Sequence, residues 1–149
     1  MEYEFDYIDG VRISPIVITD DYTLQGEHKG TVHVEKGTLT IRGELYGTLN
    51  VHEGTSVVIV GKQHGTVSVY DNAKVTIMGE LHGTTNVSDY GTVIIEKMGK
   101  LAGSLHNNGT VIIRGVYGGS QSGDGELILE DNGYIKQPTT RNGMNFYEW

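Results

Sequence analysis

The sequence predicts an all-β protein, a single-stranded parallel β-solenoid of about six coils of 16–20 residues with a triangular cross-section. Three observations predict it: a glycine-led repeat, columns of apolar residues at equivalent positions of successive repeats, and many glycines with few prolines. Of the 149 residues, 22 are glycine and 2 are proline. That balance is typical of short strands joined by tight turns.

The pattern G-x-x-x-G-T-V-x-V-x-x-G-T-V-x-I-x recurs between residues 26 and 119. Each repeat has room for three short strands, which is one turn of a three-sided solenoid. We expect the glycines to lie at the corners, where a positive φ is often required. The opening glycines, 16 to 20 residues apart, are Gly26, Gly43, Gly61, Gly79, Gly99 and Gly115.

The three strand segments of a turn are called faces 1, 2 and 3, in chain order. Face 1 reads TVHVE at 31–35, face 2 reads TLTIR at 38–42, and face 3 is the short ELY at 44–46. Apolar residues alternate along them, as in strands, and lack the i, i+3, i+4 spacing of a helix. A sandwich of antiparallel hairpins would not explain one inward position of face 2 that holds isoleucine in five successive turns: Ile41, Ile59, Ile77, Ile95 and Ile113.

We predict a single domain over residues 1–149, with an N-terminal cap over 1–25, coils over 26–131 and a C-terminal aromatic tail over 132–149. Within the cap, 7–13 reads as a hairpin around Asp9-Gly10. The glycine- and serine-rich stretch 115–125 is interpreted as a bulging loop that interrupts the stack. After it, 125–131 supplies one strand of a less regular coil.

Composition limits the classes of function. The chain has no cysteine, which excludes disulfides, zinc–cysteine sites and a cysteine nucleophile. We see neither a secretory signal nor an apolar stretch long enough to span a bilayer, so the expected location is cytoplasmic. The net charge of −8 comes from residues 1–25 and 121–149, whereas 26–120 is neutral. Nucleic-acid binding is not expected, because it needs a basic stripe.

Neither a catalytic site nor a cofactor site is predicted. GxSxG, HExxH, P-loop and dinucleotide motifs are absent from the sequence, and the neutral middle suggests no cluster of Asp or Glu. Tyr46, His64 and His82 share an outward column of face 3, where two histidines could hold a metal but lack a third ligand. We therefore predict ring stacking there. His33 is interpreted as exposed polar filler.

An outward apolar column on face 2 is the most suggestive surface. Val58, Ile94 and Ile112 fall between two inward columns, with Val60 and Met78 beside them, and contiguous apolar patches often mark partner surfaces. The alternative is that a terminal segment, 2–8 or 145–149, covers this column. The candidate partner-binding residues on faces 2 and 3 are Val58, Val60, Met78, Ile94, Ile112, Tyr46, His64 and His82.

The phrases GELYGTLNV at 43–51 and GTVIIRG at 109–115 resemble bactofilins. The resemblance covers roughly residues 26–119. It implies a triangular, right-handed β-helix of a bacterial cytoskeletal protein that polymerises through its ends without nucleotide. The chain departs from bactofilins in its flanks, which are acidic and aromatic.

Two functions remain open. The first is a soluble protein-binding solenoid, such as a bacterial immunity or antitoxin-type inhibitor that neutralises a basic partner, for example a nuclease toxin. Acidic flanks would speed association with such a partner. The second is a bactofilin-like scaffold that associates with itself. Capping and end charge favour the first.

Overall fold

The computed structural model describes residues 6–8, 11–13, 15–136, 139–141 and 144–146, and side chains over 15–136. The described chain winds through three parallel sheets of seven strands each, so a β-solenoid is confirmed. The strands are numbered along the chain. Face 1 consists of β3 (Ile16–Ile18), β6 (Val32–Val34), β9 (Leu49–Val51), β12 (Val67–Val69), β15 (Thr85–Val87), β18 (Leu105–Asn107) and β21 (Gln121–Ser122).

Every third strand returns to the same face, one turn further along the stack. Face 2 consists of β4 (Tyr22–Leu24), β7 (Thr38–Ile41), β10 (Ser56–Ile59), β13 (Lys74–Ile77), β16 (Thr92–Ile95), β19 (Thr110–Ile113) and β22 (Glu126–Leu129). Face 3 consists of β5 (Glu27–Lys29), β8 (Glu44–Tyr46), β11 (Lys62–His64), β14 (Glu80–His82), β17 (Lys100–Ala102), β20 (Val116–Gly118) and β23 (Tyr134–Ile135).

The described stack has seven turns, where the sequence suggested about six. The additional turn comes first: β3 pairs with β6, β4 with β7 and β5 with β8. The sequence of this turn lacks the Gly-Thr-Val motif of the repeat, but Ile18 and Leu24 still occupy inward positions and are buried. Inward hydrophobicity rather than the full motif is therefore enough to add a turn.

The interior is built from columns in strict register. On face 2 the five predicted isoleucines pair one on the next and are fully buried. Parallel strands buried on one side stabilise one another chiefly through such stacked apolar contacts. Among these, Ile77 lies at the centre, with Ile59 and Ile95 on its two sides. The predicted column of stacked isoleucines, on which the prediction of the fold depended, is therefore confirmed.

A positive φ is found at many of the corner glycines, as expected, but most of the opening glycines are required for a different reason. Of the six opening glycines, only Gly26 has a positive φ, 79°. At the others the backbone of the previous turn lies too close for a side chain: a Cβ on Gly61 would be 2.1 Å from the carbonyl oxygen of Gly43. Close approach between turns, and not backbone conformation, selects glycine at this corner.

The interpretation of 115–125 as an interrupting loop is wrong. The segment contributes β20 and β21, which continue faces 3 and 1. Tyr117 makes this possible, because its ring takes the inward place that Leu101 holds one turn earlier and is fully buried. Its hydroxyl donates a hydrogen bond of 2.7 Å to the carbonyl of Ser120, which meets the requirement of a buried phenol.

Two hairpins lie outside the three sheets. β1 (Asp6–Ile8) and β2 (Val11–Ile13) pair antiparallel, which confirms the predicted hairpin at 7–13. β24 (Thr139–Arg141) and β25 (Met144–Phe146) form a second one within the predicted C-terminal tail. Whether residues 2–8 or 145–149 cover face 2 lies outside the described side chains. In the described ranges, no helix is long and apolar enough to cross a membrane.

Candidate functional site

The outward column of face 2 is aliphatic over most of its length. Val58 pairs in register with Thr76, and the column continues through Ile94 and Ile112 to Ile128. All five side chains are half-buried by their neighbours in the sheet. Three isoleucines thus follow one another on the outer side of the last turns, a flat apolar strip with its β-branched side chains held rigid.

Val60 and Met78 lie at the corner between faces 2 and 3, and 39% and 50% of their surface is exposed. In the next turns the same position carries charge. Arg114 lies between Glu96 and Glu130 and makes a 2.9 Å contact to each. The hydrogen bond to Glu130 is the main cause that raises the pKa of Arg114. This ion-pair ladder ends the apolar part of the corner.

Face 3 carries the predicted ring column. The rings of Tyr46 and His64 stack with centroids 4.5 Å apart, and those of His64 and His82 with centroids 5.5 Å apart. The hydroxyl of Tyr46 donates a hydrogen bond to Glu44, which is the main cause that raises the pKa of Tyr46. Stacking is therefore confirmed. Among the described residues, no group of three or more potential ligands could hold a metal ion.

A charged column separates these rings from Val60 and Met78. It begins with Glu27 stacked on Glu44, two like charges, and from Glu44 it runs through Lys62, Glu80 and Lys100 with alternating sign. The Lys62 and Glu80 side chains approach within 3.6 Å. Alternating charge on adjacent strands is the arrangement that stabilises a sheet surface. The eight candidate residues consequently form two strips on adjoining faces, and they remain a prediction as a partner-binding set.

A second ring ladder was missed by the sequence reading. His33 stacks on His52 at 5.3 Å, and His52 stacks on Tyr70 at 5.2 Å. His33 is only 9% exposed, and its Nδ1 lies 3.1 Å from Nε2 of His52, so its interpretation as exposed filler is wrong. Because His33 belongs to face 1 and His52 to the following corner, no single column in the sequence joins them.

Acidic residues line one edge of the stack, the corner between faces 1 and 2. These carboxylates are here called the acidic edge: Asp20, Asp21, Glu35, Glu53, Asp71, Asp89 and Asp124. Of the described residues, only Lys36 adds a positive side chain in these corner segments. Most bases lie instead on face 3 or at the corner before it: Lys29, Arg42, Lys62, Lys97, Lys100, Arg114 and Lys136.

The expectation that the neutral middle of the chain holds no acidic cluster is therefore corrected. Acids and bases balance along the sequence, but one corner collects acids with a single lysine, whereas face 3 and the corner before it mix both signs. The reason is that successive turns bring every eighteenth residue or so to the same corner. A signal did exist: the phrases Val51-His52-Glu53, Val69-Tyr70-Asp71 and Val87-Ser88-Asp89 place an acid two residues after the last inward valine.

The acidic edge is concave where the second ring ladder meets it. His52, Glu53, Tyr70 and Asp71 line a shallow surface cavity. Within the part of the chain that the structure describes, neither Glu53 nor Asp71 has a cation within ion-pair distance. Rings and unneutralised carboxylates together suit a positively charged group.

No protein-family model, curated protein or solved structure matches the chain. The fold and its surfaces are consequently the basis for an inference about function.

Proposed function

We propose that the chain is a non-enzymatic, cytoplasmic, protein-binding solenoid that neutralises a basic partner, in the manner of a bacterial immunity or antitoxin-type inhibitor. The observation that carries this proposal is the acidic edge. Six of the seven described turns place at least one carboxylate there. A nuclease that binds a polyanion presents the complementary basic surface.

The spacing of the edge makes it act as one charged surface. Adjacent strands lie about 4.8 Å apart, and the screening length at physiological salt is about 8 Å. Carboxylates on neighbouring turns therefore act on an approaching cation together. Such a field raises the association rate of a basic protein and selects it over neutral or acidic ones.

Face 2 adjoins the acidic edge and supplies the apolar part of the proposed interface. Seven strands at about 4.8 Å and four residues at about 3.3 Å give face 2 an area of roughly 400 Å². A stable interface buries about 800 Å² on each partner. Face 2 supplies about half of that area and the adjoining edge extends it, with Ile94, Ile112 and Ile128 forming an apolar centre beside a charged rim.

The test begins with the tagged chain, used to isolate its partner from the source cell, and continues with the purified pair. We expect an isoelectric point well above neutrality for the partner and weaker binding as salt rises. Glu53→Lys with Asp71→Lys should raise Kd by about tenfold or more. The control, Glu27→Lys with Asp131→Lys, changes the net charge equally away from the edge and should have little effect.

An acidic partner would contradict the proposal. So would an affinity that is independent of salt and unchanged by reversal of Glu53 and Asp71. Replacement of Ile112 by Lys probes the apolar part separately, and we expect it to increase the dissociation rate, since truncating or charging a buried contact acts mainly on that rate.

A second candidate, the bactofilin-like scaffold, is favoured by one observation. Among the described strands, those of the first and last turns pair on one side only, and open strand edges invite stacking. Stacking two copies in register would, however, place Glu126 on Asp21 and Lys136 on Lys29. Like charges directly opposite destabilise a sheet pair, so we place this candidate second.

Sedimentation and negative-stain microscopy separate the two candidates. We expect a monomer at micromolar concentration, whereas filaments of the unmodified chain would favour the scaffold and contradict the first proposal. The variant Glu126→Lys with Lys136→Glu would place opposite charges across the same junction. If like charge blocks stacking, this variant should associate more strongly than the unmodified chain.

A further inference from the structure

The two ends of the stack differ in how well their inward side chains are covered. Leu24 and Leu129 are the first and last members of the inward column of face 2 that contains the five isoleucines. Leu24 is 7% exposed although it belongs to the first described turn, whereas Leu129 in the last turn is 54% exposed. The described residues therefore leave the C-terminal end of the interior open, where burial of an apolar group would be favourable.

A cavity opens at this end, beside β21 and β22, because glycine takes the place of an inward side chain. On face 1 the inward column runs through Val69, Val87 and Asn107, and the register of β21 on β18 continues it to Gly123. An added Cβ on Gly123 would lie 2.2 Å from the carbonyl oxygen of Asn107. The cavity has a volume of about 330 Å³ and is lined by Asn107, Gln121, Ser122, Gly123, Gly125 and Leu127.

The lining of this cavity suits an uncharged aromatic ring with one hydrogen-bond donor. Leu127 provides an apolar surface, and Gln121 carries a side-chain oxygen that can accept a hydrogen bond. Among the described residues that line the cavity none is charged, so an ionic group would find no opposite charge there. The volume lies at the lower end of the range for small-ligand sites, about 300–1,000 Å³. An indole, which is apolar apart from its N–H, matches these properties.

The winding of the chain directs its last residues towards this end of the stack. Ile135 pairs with Tyr117, and Thr139 follows Gln121 at the same sequence offset. A further turn of the same length would therefore place Thr139 on Gln121, which lines the cavity. Thr139 is four residues from Ile135, so the two Cα atoms are at most about 14 Å apart.

The second hairpin then returns the chain to its starting point. β24 does not continue the stack but pairs antiparallel with β25, with Thr139 opposite Phe146. The Cα atoms of such a pair are about 5 Å apart. Residues 147–149 follow Phe146 and can extend about 10 Å beyond it, so the side chain of Trp149 has the length of chain needed to reach the cavity.

We propose that the indole of Trp149 fills this cavity and closes the C-terminal end of the stack. The ring packs on Leu127 and on the backbone of Gly123, and its N–H donates to the side-chain oxygen of Gln121. Because Trp149 is tethered to the last turn, its effective concentration at the cavity is on the order of millimolar. It therefore excludes a second copy or a free peptide at micromolar concentration, and it covers an apolar surface that would otherwise favour association.

The first experiment locates the ring by NMR spectroscopy of the full chain. An aromatic ring shifts the resonances of nearby amides, so Trp149→Leu should move those of Gly123 and Gly125. The amides of Gly26 and Gly30, in the first turns, should not move. A change of one residue beyond β25 leaves the stacked turns intact, so this result does not depend on the stability of the variant.

The second experiment measures burial by fluorescence, because Trp149 is the single tryptophan of the chain. We expect the folded chain to emit at shorter wavelength than the chain in urea and to lose most of its quenching by iodide. Leu127→Lys should shift the emission to longer wavelength and restore quenching. The matched control Ile128→Lys places the same charge on the outward side of the same strand and should leave both signals unchanged.

Four results would overturn the proposal. The first is an emission spectrum of the folded chain equal to that in urea. The second is a shift of the Gly123 resonance by Tyr147→Leu and not by Trp149→Leu, which would assign the cavity to another ring. The third is a shift of Ile94 and Ile112 instead, which would place the segment on face 2. The fourth is a Gly123 resonance that depends on protein concentration and not on Trp149, which would assign the cavity to a second copy.

Discussion

The corner between faces 3 and 1 allows the packing of the solenoid to be tested by a single methyl group. Each of the first six turns places a glycine there with φ between 117° and 148°: Gly30, Gly47, Gly65, Gly83, Gly103 and Gly119. A Cβ built on Gly83 would lie 2.2 Å from the carbonyl oxygen of Gly65. Gly83→Ala therefore introduces both a clash and an unfavourable backbone conformation.

The size of the effect follows from these distances. Carbon and oxygen approach to about 3.3 Å in sheets, so the two turns must separate by about 1 Å. The amides of Gly65 and Val67 donate across this gap at 2.9 and 2.8 Å, to His82 and Thr84, and such a separation would break bonds of that length. Two lost hydrogen bonds at about 1 kcal/mol each and about 1 kcal/mol for φ give a loss of roughly 3 kcal/mol or more.

Two controls separate the causes. Gly54 has φ of 75° and nothing within 4 Å of its added Cβ, so Gly54→Ala should cost only about 1 kcal/mol. Gly79 has no positive φ, but its Cβ would lie 2.1 Å from the carbonyl oxygen of Gly61, so Gly79→Ala tests the clash alone. Urea unfolding followed by circular dichroism gives the free energies. If Gly83→Ala costs no more than Gly54→Ala, close approach between turns is not what selects glycine.

Three further predictions concern the interior and the ring column. Thr85 is fully buried with its hydroxyl unpaired, so Thr85→Val should raise the free energy of unfolding by about 1 kcal/mol. The control Thr84→Val, at the half-buried neighbour, should change the free energy of unfolding little. A Thr85→Val variant less stable than the unmodified chain would contradict the reasoning. Ile77→Ala should cost about 2–5 kcal/mol, clearly more than Ile94→Ala at the half-buried outward column, both measured by urea unfolding. The pKa of Tyr46 is raised above the ordinary value of about 10, so Tyr46 should stabilise the fold below that pH and lose this effect as pH rises through its folded pKa. The difference between the ultraviolet titrations of the unmodified chain and Tyr46→Phe should show a phenol that titrates late. Glu44→Gln should shift that titration to lower pH.

The interior could be predicted because it repeats chemically. Ile59 and Ile77 occupy equivalent positions of successive turns, so the same residue type recurs at a constant interval in the sequence. That interval predicts both the strand register and the number of residues in a turn. Tyr117 could not be found in this way. It fills an inward position that leucine holds in three other turns, and the glycines around it suggested a loop. Its pairing with Leu101, its burial and its hydrogen bond to Ser120 show that it continues the column.

The candidate site was only partly accessible from the sequence. The stack of Tyr46 and His64 was predicted because both residues belong to one strand position. The ladder from His33 to His52 was not, since it passes from a face to a corner and depends on side-chain direction rather than on register. The ring at the corner changes from turn to turn (His52, Tyr70, then Ser88), so neither alternation nor a fixed offset identifies a ring ladder there, although a fixed offset does reveal the acids Glu53, Asp71 and Asp89.

Charge shows most clearly why a solenoid surface differs from its composition. Summed along the chain, residues 26–120 are neutral, which suggested that only the flanks were electrostatically active. Winding sorts those charges by their position within a turn, so that acids collect at one corner whereas most bases lie among the remaining acids on and beside face 3. On face 3 the alternation of Glu44, Lys62 and Glu80 neutralises neighbours and adds stability. At the acidic edge Glu53, Asp71 and Asp89 share one sign and do not neutralise one another. Like charge opposes the compact state, and the basic partner that we propose would offset this repulsion.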